Sequence, residues 1–302
     1  MGLHRYAQVL PEFTPAKWSE AGTPLLRSRH SAELFVKDEG RNPTGSLEDR
    51  GMALAVAAAK HYGIRQMGLA SQGDSASSLA SYAAAAGIAA HVSLPKDVDV
   101  TNHLACVAFG ATVTLVDGLL TDDQHKEKAE DCLNVSDLNE PFRLEGMKTL
   151  GYELVEQLEW QYPIAVIYPS GLAGAAMWKA FEEMEQMRWV TGRRPRLYGI
   201  GKNIHSLGMN AIEESGGRVV EISDALPVLL SSAKEEGFML SLDGAAGMGV
   251  YQALLANGEL SAQDAVVLIN GRACWKDAET IARRSRLRLP SSLPVGGIIT
   301  PQ

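Results

Sequence analysis

The chain has 302 residues, 46% hydrophobic and 21% charged, and its 28 Lys plus Arg against 36 Asp plus Glu give a formal net charge of −8. This composition excludes a disordered or fibrous protein, and the acidic balance argues against a nucleic-acid partner, which needs a basic surface to neutralise phosphates. Cys106, Cys132 and Cys274 lie far apart with no metal or redox spacing, and no stretch is long and apolar enough to span a bilayer. The expectation is therefore a soluble chain of the reducing cytoplasm, with no membrane partner and no metal site.

Short β-branched runs alternate with longer alanine-rich stretches, the pattern of an α/β chain with parallel strands and crossover helices. In chain order, a strand is predicted near Leu34 to Lys37. A loop from Asn42 to Gly51 then feeds a helix from Asp49 to Tyr62, with Met52, Ala55, Val56 and Ala59 on one face. A second strand near Met67 to Ser71 leads through Gln72, Gly73 and Asp74 into a helix from Ser75 to Ala86. Strands near Ala90 to Leu94 and Thr112 to Val116 precede a helix from Gly146 to Trp160. The strand near Ile164 to Tyr168 runs through Pro169, Ser170, Gly171, Leu172 and Ala173 into a helix from Gly174 to Met187. Strands near Leu197 to Gly201 and Arg218 to Ile222, a helix from Ala245 to Ala256 and a strand from Ala265 to Asn270 complete the pattern. Arg283, Arg284, Arg286 and Arg288 are read as a solvated helix face or tail.

In such a sheet ligands bind beyond the carboxyl ends of the strands, where loops feed helix N-termini. The three loops placed there carry a family resemblance. The stretch from Phe35 to Gly118, above all Val36 to Gly51, resembles threonine synthase, a fold-type-II pyridoxal-phosphate enzyme. The resemblance resumes from Glu140 to Glu185, including Tyr168, Pro169, Ser170, Gly171 and Met177 to Phe181, and returns weakly from Gly244 to Gly271. It implies two three-layer αβα domains with a cleft between them and a shortened second half. The large domain is expected from 1–50 plus 146–302 and the small one from 51–145. A homodimer is compatible with the resemblance.

The departures from the family motifs are as informative as the matches. The family reads Asn-Pro-Thr-Gly-Ser-Phe-Lys-Asp-Arg-Gly, and its Lys forms the Schiff base; this chain has Glu48 there. A carboxylate can neither condense with an aldehyde nor exchange with an amine substrate. Asp74 stands where relatives have an Asn that bonds the cofactor's phenolic oxygen. The former phosphate loop keeps Ser170, Gly171 and Gly174 but is shorter than the family's glycine run, with Leu172 and Ala173 inside it. The former pyridine-nitrogen region is reduced to Asn270, Gly271, Arg272 and Ala273, and the chain after Gly201 lacks several dozen residues that relatives carry. The expectation is a pseudoenzyme, with pyridoxal phosphate ancestral and lost so that no cofactor is bound. Its cleft would be repurposed for a peptide, a small polar or amino-acid-like ligand, or a protein partner. Two alternatives are weighed: a cofactor-independent enzyme using Glu48 and Asp74 as an acid/base or metal-binding pair, and a residual lyase that retains the cofactor, noncovalently or on a lysine such as Lys202.

Glu48 and Asp74 are thus the catalytic candidates, but each also sits at a helix start, where acids are favoured, and Asp74 reads as an N-cap. Asp49 completes a capping-box pattern with Ser46. Asn42, Thr44, Ser46, Ser71, Gln72, Gly73 and Ser75 are the candidate ligand-binding residues. Turn formation and capping account for the same residue types.

Overall fold

In a computed structural model, residues 2–13, 20–118, 120, 132–136, 140–169, 171–201 and 206–285 are described. The strands form two sheets. The first contains β1 (Leu25–Arg27), β2 (Leu34–Asp38), β7 (Ala165–Pro169), β8 (Arg196–Ile200), β9 (Arg218–Val220) and β10 (Val266–Asn270), in the order β1-β2-β10-β7-β8-β9. The second contains β3 (Gln66–Ala70), β4 (Ala89–Pro95), β5 (Thr112–Val116) and β6 (Leu133–Asn134), in the order β5-β4-β3-β6. Among the described strands, β1 pairs antiparallel with β2 and the other pairs are parallel. The four-stranded sheet is built within 66–134 and the six-stranded sheet from segments on either side. Strands β7 and β10, at the centre of the larger sheet, are buried at every position, as continuous apolar runs covered on both faces must be.

The helices are α1 (Glu48–His61), α2 (Asp74–Ala86), α3 (Val100–Ala108), α4 (Phe142–Met147), α5 (Thr149–Gln157), α6 (Ala173–Gln186), α7 (Ser206–Ser215), α8 (Leu226–Glu236), α9 (Leu242–Ala256) and α10 (Ala278–Arg284). The single helix expected from Gly146 to Trp160 is two, divided at Lys148, and the second ends before Glu159 and Trp160, which take positive φ values of 55° and 60°. The division accommodates a close helix crossing. A Cβ on Gly51 of α1 would lie 2.9 Å from the Arg143 carbonyl oxygen, and one on Gly146 of α4 would collide with the Arg50 carbonyl. Two glycines therefore let the backbones of α1 and α4 touch, which brings Arg143 beside the start of α1.

Apolar cores lie on both faces of the larger sheet and around the smaller one. No helix among the described residues is long and apolar enough to cross a membrane. Beneath the 42–47 loop is a buried ionic network. Arg50 donates to Glu39 at 2.7 and 2.8 Å and to Glu153 through both terminal nitrogens at 3.1 Å, while Lys37 pairs with Glu153. Arg284 pairs with Asp224 at 2.6 Å, so part of the basic C-terminal run serves a surface contact; Arg286 and Arg288 lie outside the described residues.

Candidate functional site where the two sheets meet

Because β2, β10 and β7 run parallel and adjacent, the loops leaving their carboxyl ends converge. The 42–47 loop is stitched to the segment after β10: Leu47 N–H donates to the Gly271 carbonyl and Ala273 N–H to the Gly45 carbonyl, each at 2.9 Å. Gly45 has φ +79°, and a Cβ there would come within 2.7 Å of the Trp275 ring, so both conformation and space require glycine. The N-terminus of α2 approaches from the smaller sheet and completes the junction.

Glu48 is the first residue of α1, and its Oε2 lies 2.6 Å from Arg143 Nη2. The same guanidinium donates to the Val135 carbonyl at 2.8 Å and to Ser75 Oγ at 3.2 Å, which fixes it between the helices. Asp74 is not the N-cap of α2; Gly73, with φ +147°, holds that place, and a Cβ on it would collide with the Asn102 side chain. The Asp74 carboxylate instead accepts from Lys276 Nζ at 2.9 Å and Asn102 Nδ2 at 3.1 Å, with Arg272 Nε 3.3 Å away. The expected capping box does not form either. Asp49 accepts from Thr44 N–H at 2.7 Å, Thr44 Oγ1 at 2.6 Å and Ser78 Oγ at 2.6 Å, and Ser46 Oγ accepts from Glu48 N–H at 3.2 Å. Burial pushes the Asp49 carboxyl up to about 6 against the pull of these bonds.

Most residues predicted to bind a ligand are occupied by the protein itself. Asn42 donates to the Glu39 carbonyl and carboxylate at 3.1 and 2.8 Å and accepts from Ala21 N–H at 3.1 Å. Asn270 accepts from Ser241 N–H and Oγ, each at 2.9 Å, and donates to Asp38 at 2.8 Å, which ties β10 to the start of α9. A Cβ on Gly271 would meet Leu47 and Pro169, each at 2.8 Å. Ser71 Oγ accepts from Gly73 N–H at 3.0 Å, and Ser75 is bound by Arg143. Gln72 is exposed, and Gly171, at φ +110°, borders open space. Gly174 packs directly against the Tyr168 hydroxyl, a buried group with no hydrogen-bond partner among the described residues. Ser170 and Lys202 lie outside the described residues.

Sequence reasoning missed the cations. Arg143 and Lys276 are each 2% exposed in their side chains, and no motif spacing links them to positions 48 and 74. Asp99 and Asp277 were missed as well: Arg272 Nη2 is 3.3 Å from Asp99, and Nη1 is 3.6 Å from Asp277. Burial raises the Asp277 carboxyl to about 6, although Arg272 pulls it down. A buried or half-buried acid near a motif implies a nearby cation, and that is the only signal the sequence offered.

The profile of the family described as "Pyridoxal-phosphate dependent enzyme" matches residues 18–271. The chain belongs to that family. It is 32% identical to the threonine synthase of Methanocaldococcus jannaschii over 94% of this chain and 83% of that protein. It is 30% identical to the threonine synthase of Methanosarcina acetivorans over 92% of this chain and 80% of that protein. The first alignment spans 338 positions, more than the whole chain, so that relative carries residues this chain lacks. Among solved structures, O-ureido-L-serine synthase is similar with a TM-score of 0.72 at 16% identity, covering 90% of this chain and 96% of that one. That likeness shows the α/β, fold-type-II architecture, while the likeness to threonine synthase rests on the sequence relatives.

Membership corrects one expectation. The absence of a cofactor does not stand, because the family is defined by pyridoxal phosphate and the relatives aligned over nearly the whole chain are threonine synthases. The residues present do not fit that group held covalently at position 48: the side chain there is a carboxylate, and Arg143 already engages it. At the other end of the site, no described atom lies within 4 Å of a Cβ built on Gly171, two residues before α6.

Proposed function

We propose that this threonine-synthase-like chain does not run imine chemistry from position 48, and that its cleft binds a small amino-acid-like ligand or a peptide. The observation that carries the reading is the Glu48–Arg143 ion pair at 2.6 Å, where the family places its reactive amine. A carboxylate held by a guanidinium offers no nucleophilic nitrogen to an aldehyde. Gln72 is exposed and Gly171 is uncrowded among the described residues, so their polar groups remain available to a small amino-acid-like ligand. Use of Glu48 and Asp74 as an acid/base or metal-binding pair gains no support, since each carboxylate is already engaged by a cation.

The test is made on purified protein incubated with pyridoxal phosphate, reduced with borohydride and mapped by peptide mass spectrometry. In parallel, melting is followed across a panel of free amino acids and short peptides. The expected result is no threonine formation and a melting temperature raised by at least one amino acid or peptide, and any reduced adduct identifies a lysine that holds the cofactor in place of position 48. Measurable threonine synthesis overturns the reading, and so does a panel without any shift. Glu48→Gln, which would abolish turnover if Glu48 moved a proton, is expected to leave the ligand-induced shift intact.

A further inference from the structure

We propose that the segment from Gly271 to Thr280 is an electrostatic latch that holds the two sheet units closed over the cleft. Two positions that depart from the family motifs, Asp74 and Arg272, face each other: Arg272 Nε lies 3.3 Å from Asp74 Oδ2. Arg272 follows β10 of the six-stranded sheet, whereas Asp74 opens α2 beside the four-stranded sheet. Further bonds cross the same boundary. Arg272 Nη2 is 3.3 Å from Asp99, and Thr280 Oγ1 donates to Asp99 at 3.3 Å. Lys276 donates to Asp74 at 2.9 Å, to Asn102 Oδ1 at 3.1 Å and to Ser77 Oγ at 3.3 Å.

The backbone bonds that join this segment to the 42–47 loop have a different consequence, because both partners belong to the larger unit. They survive if the smaller unit swings away, whereas every bond to Asp74, Ser77, Asp99 and Asn102 must break. The charges are partly screened, with side-chain exposures of 17% for Arg272, 20% for Asp74 and 23% for Asp99, so the latch can open without a large barrier and weakens in salt. Arg272 keeps its charge at all accessible pH values: burial opposes it, but Asp74, Asp277, Asp243 and Asp99 raise its pKa.

Two cysteines report on the mechanism. Cys274 lies within the segment and is partly exposed, while Cys106 is fully buried in the core of the smaller unit. N-Ethylmaleimide, a neutral reagent, is used to label the full chain, and each cysteine-containing peptide is quantified over time. Asp99→Asn, a conservative change on the far unit, is expected to raise the Cys274 labelling rate about 5- to 10-fold, equivalent to about 1 kcal/mol of lost closure. Arg272→Met, which loses the contact with Asp74 as well, is expected to raise the rate at least as much, and the double variant by less than the product of the two effects, because both substitutions remove the Arg272–Asp99 pair. Arg41→Met, which removes an exposed pair with Asp38 within the larger unit, is expected to leave the rate unchanged. Cys106 stays protected throughout. The latch is overturned if Asp99→Asn leaves Cys274 within twofold of the unsubstituted protein, if the two effects multiply, or if Cys106 labels alongside Cys274. The latch does not depend on which ligand the cleft binds, so its failure would leave the reading of position 48 intact.

Discussion

Arg50→Met is the most severe single change that the structure points to. Arg50 is fully buried and carries the Arg of the family motif, with four donor contacts to Glu39 and Glu153 and further ones to Thr23 and Thr149, each at 3.2 Å. Methionine fills much of the volume but leaves two buried carboxylates with Lys37 as their remaining cation among the described residues, beside the neutral donors Thr23, Asn42 and Gly22. Breaking a buried pair by removing one partner costs about 3–5 kcal/mol, because the surviving charge loses its compensation. For a chain of this length about 4 kcal/mol corresponds to roughly 8 °C in melting temperature. The loss should extend to the site, since Glu39 also fixes Asn42 and through it the 42–47 loop. Calorimetry or thermal circular dichroism reads the shift. Adding Glu39→Gln to Arg50→Met is expected to recover about 1–2 kcal/mol by removing a stranded charge. A melting temperature for Arg50→Met within 2 °C of the unsubstituted protein, or a further drop on adding Glu39→Gln, would refute the reasoning.

Restoring the family lysine by Glu48→Lys places an ammonium against the Arg143 guanidinium. It is expected to lower stability by about 2–3 kcal/mol, more than Glu48→Gln, as measured by chemical denaturation. Tyr168→Phe removes a buried hydroxyl that has no partner among the described residues, so it is expected to be neutral or stabilising within about 1 kcal/mol; a loss above that would mean the hydroxyl is bonded. Glu20 is buried with one oxygen that has no hydrogen-bond partner among the described residues and the other accepting from Tyr82 at 3.3 Å; burial raises its pKa to about 7, with Asp49 adding to the rise and Arg50 opposing it. Its folded pKa exceeds the unfolded value, so its contribution is complete below about pH 4 and is lost as pH rises through 7. Stability should fall by about 2–3 kcal/mol between pH 5 and 8, and a Glu20→Gln variant with an equally steep fall would exclude this source.

The fold was legible because its signals are periodic and local. The buried runs of β7 and β10 and the alanine-rich faces of α1 and α2 announce themselves within a short window. Strands β1 and β6, three and two residues long, are too short to carry a pattern and exist only because a neighbouring strand offers an edge. The break at Lys148 was hidden for a different reason: Gly146 is required by the Arg50 carbonyl on a helix about a hundred positions away, which no window of sequence contains. The candidate site shows the same division. Its loops follow strand ends that a short window of sequence marks, but the partners of its acids were not legible, because a long cationic side chain reaches its carboxylate through the tertiary fold.

Those partners change what the departures from the family mean. Read singly, Glu48 and Asp74 are lost functions, a missing amine and a missing amide. Taken with the structure, each new negative charge has a buried or half-buried cation beside it, Arg143 for Glu48 and both Lys276 and Arg272 for Asp74. An unpaired acid at a site this enclosed would cost several kcal/mol, so random loss of a motif would be expected to leave small neutral residues there rather than matched charges. Charge matching at both positions means that the junction is held by compensated charges, Arg143 on Glu48 and Lys276 with Arg272 on Asp74. It also ties the two proposals together at Asp74: the carboxylate that cannot serve a phenolate as the family's asparagine does is the one that anchors the latch.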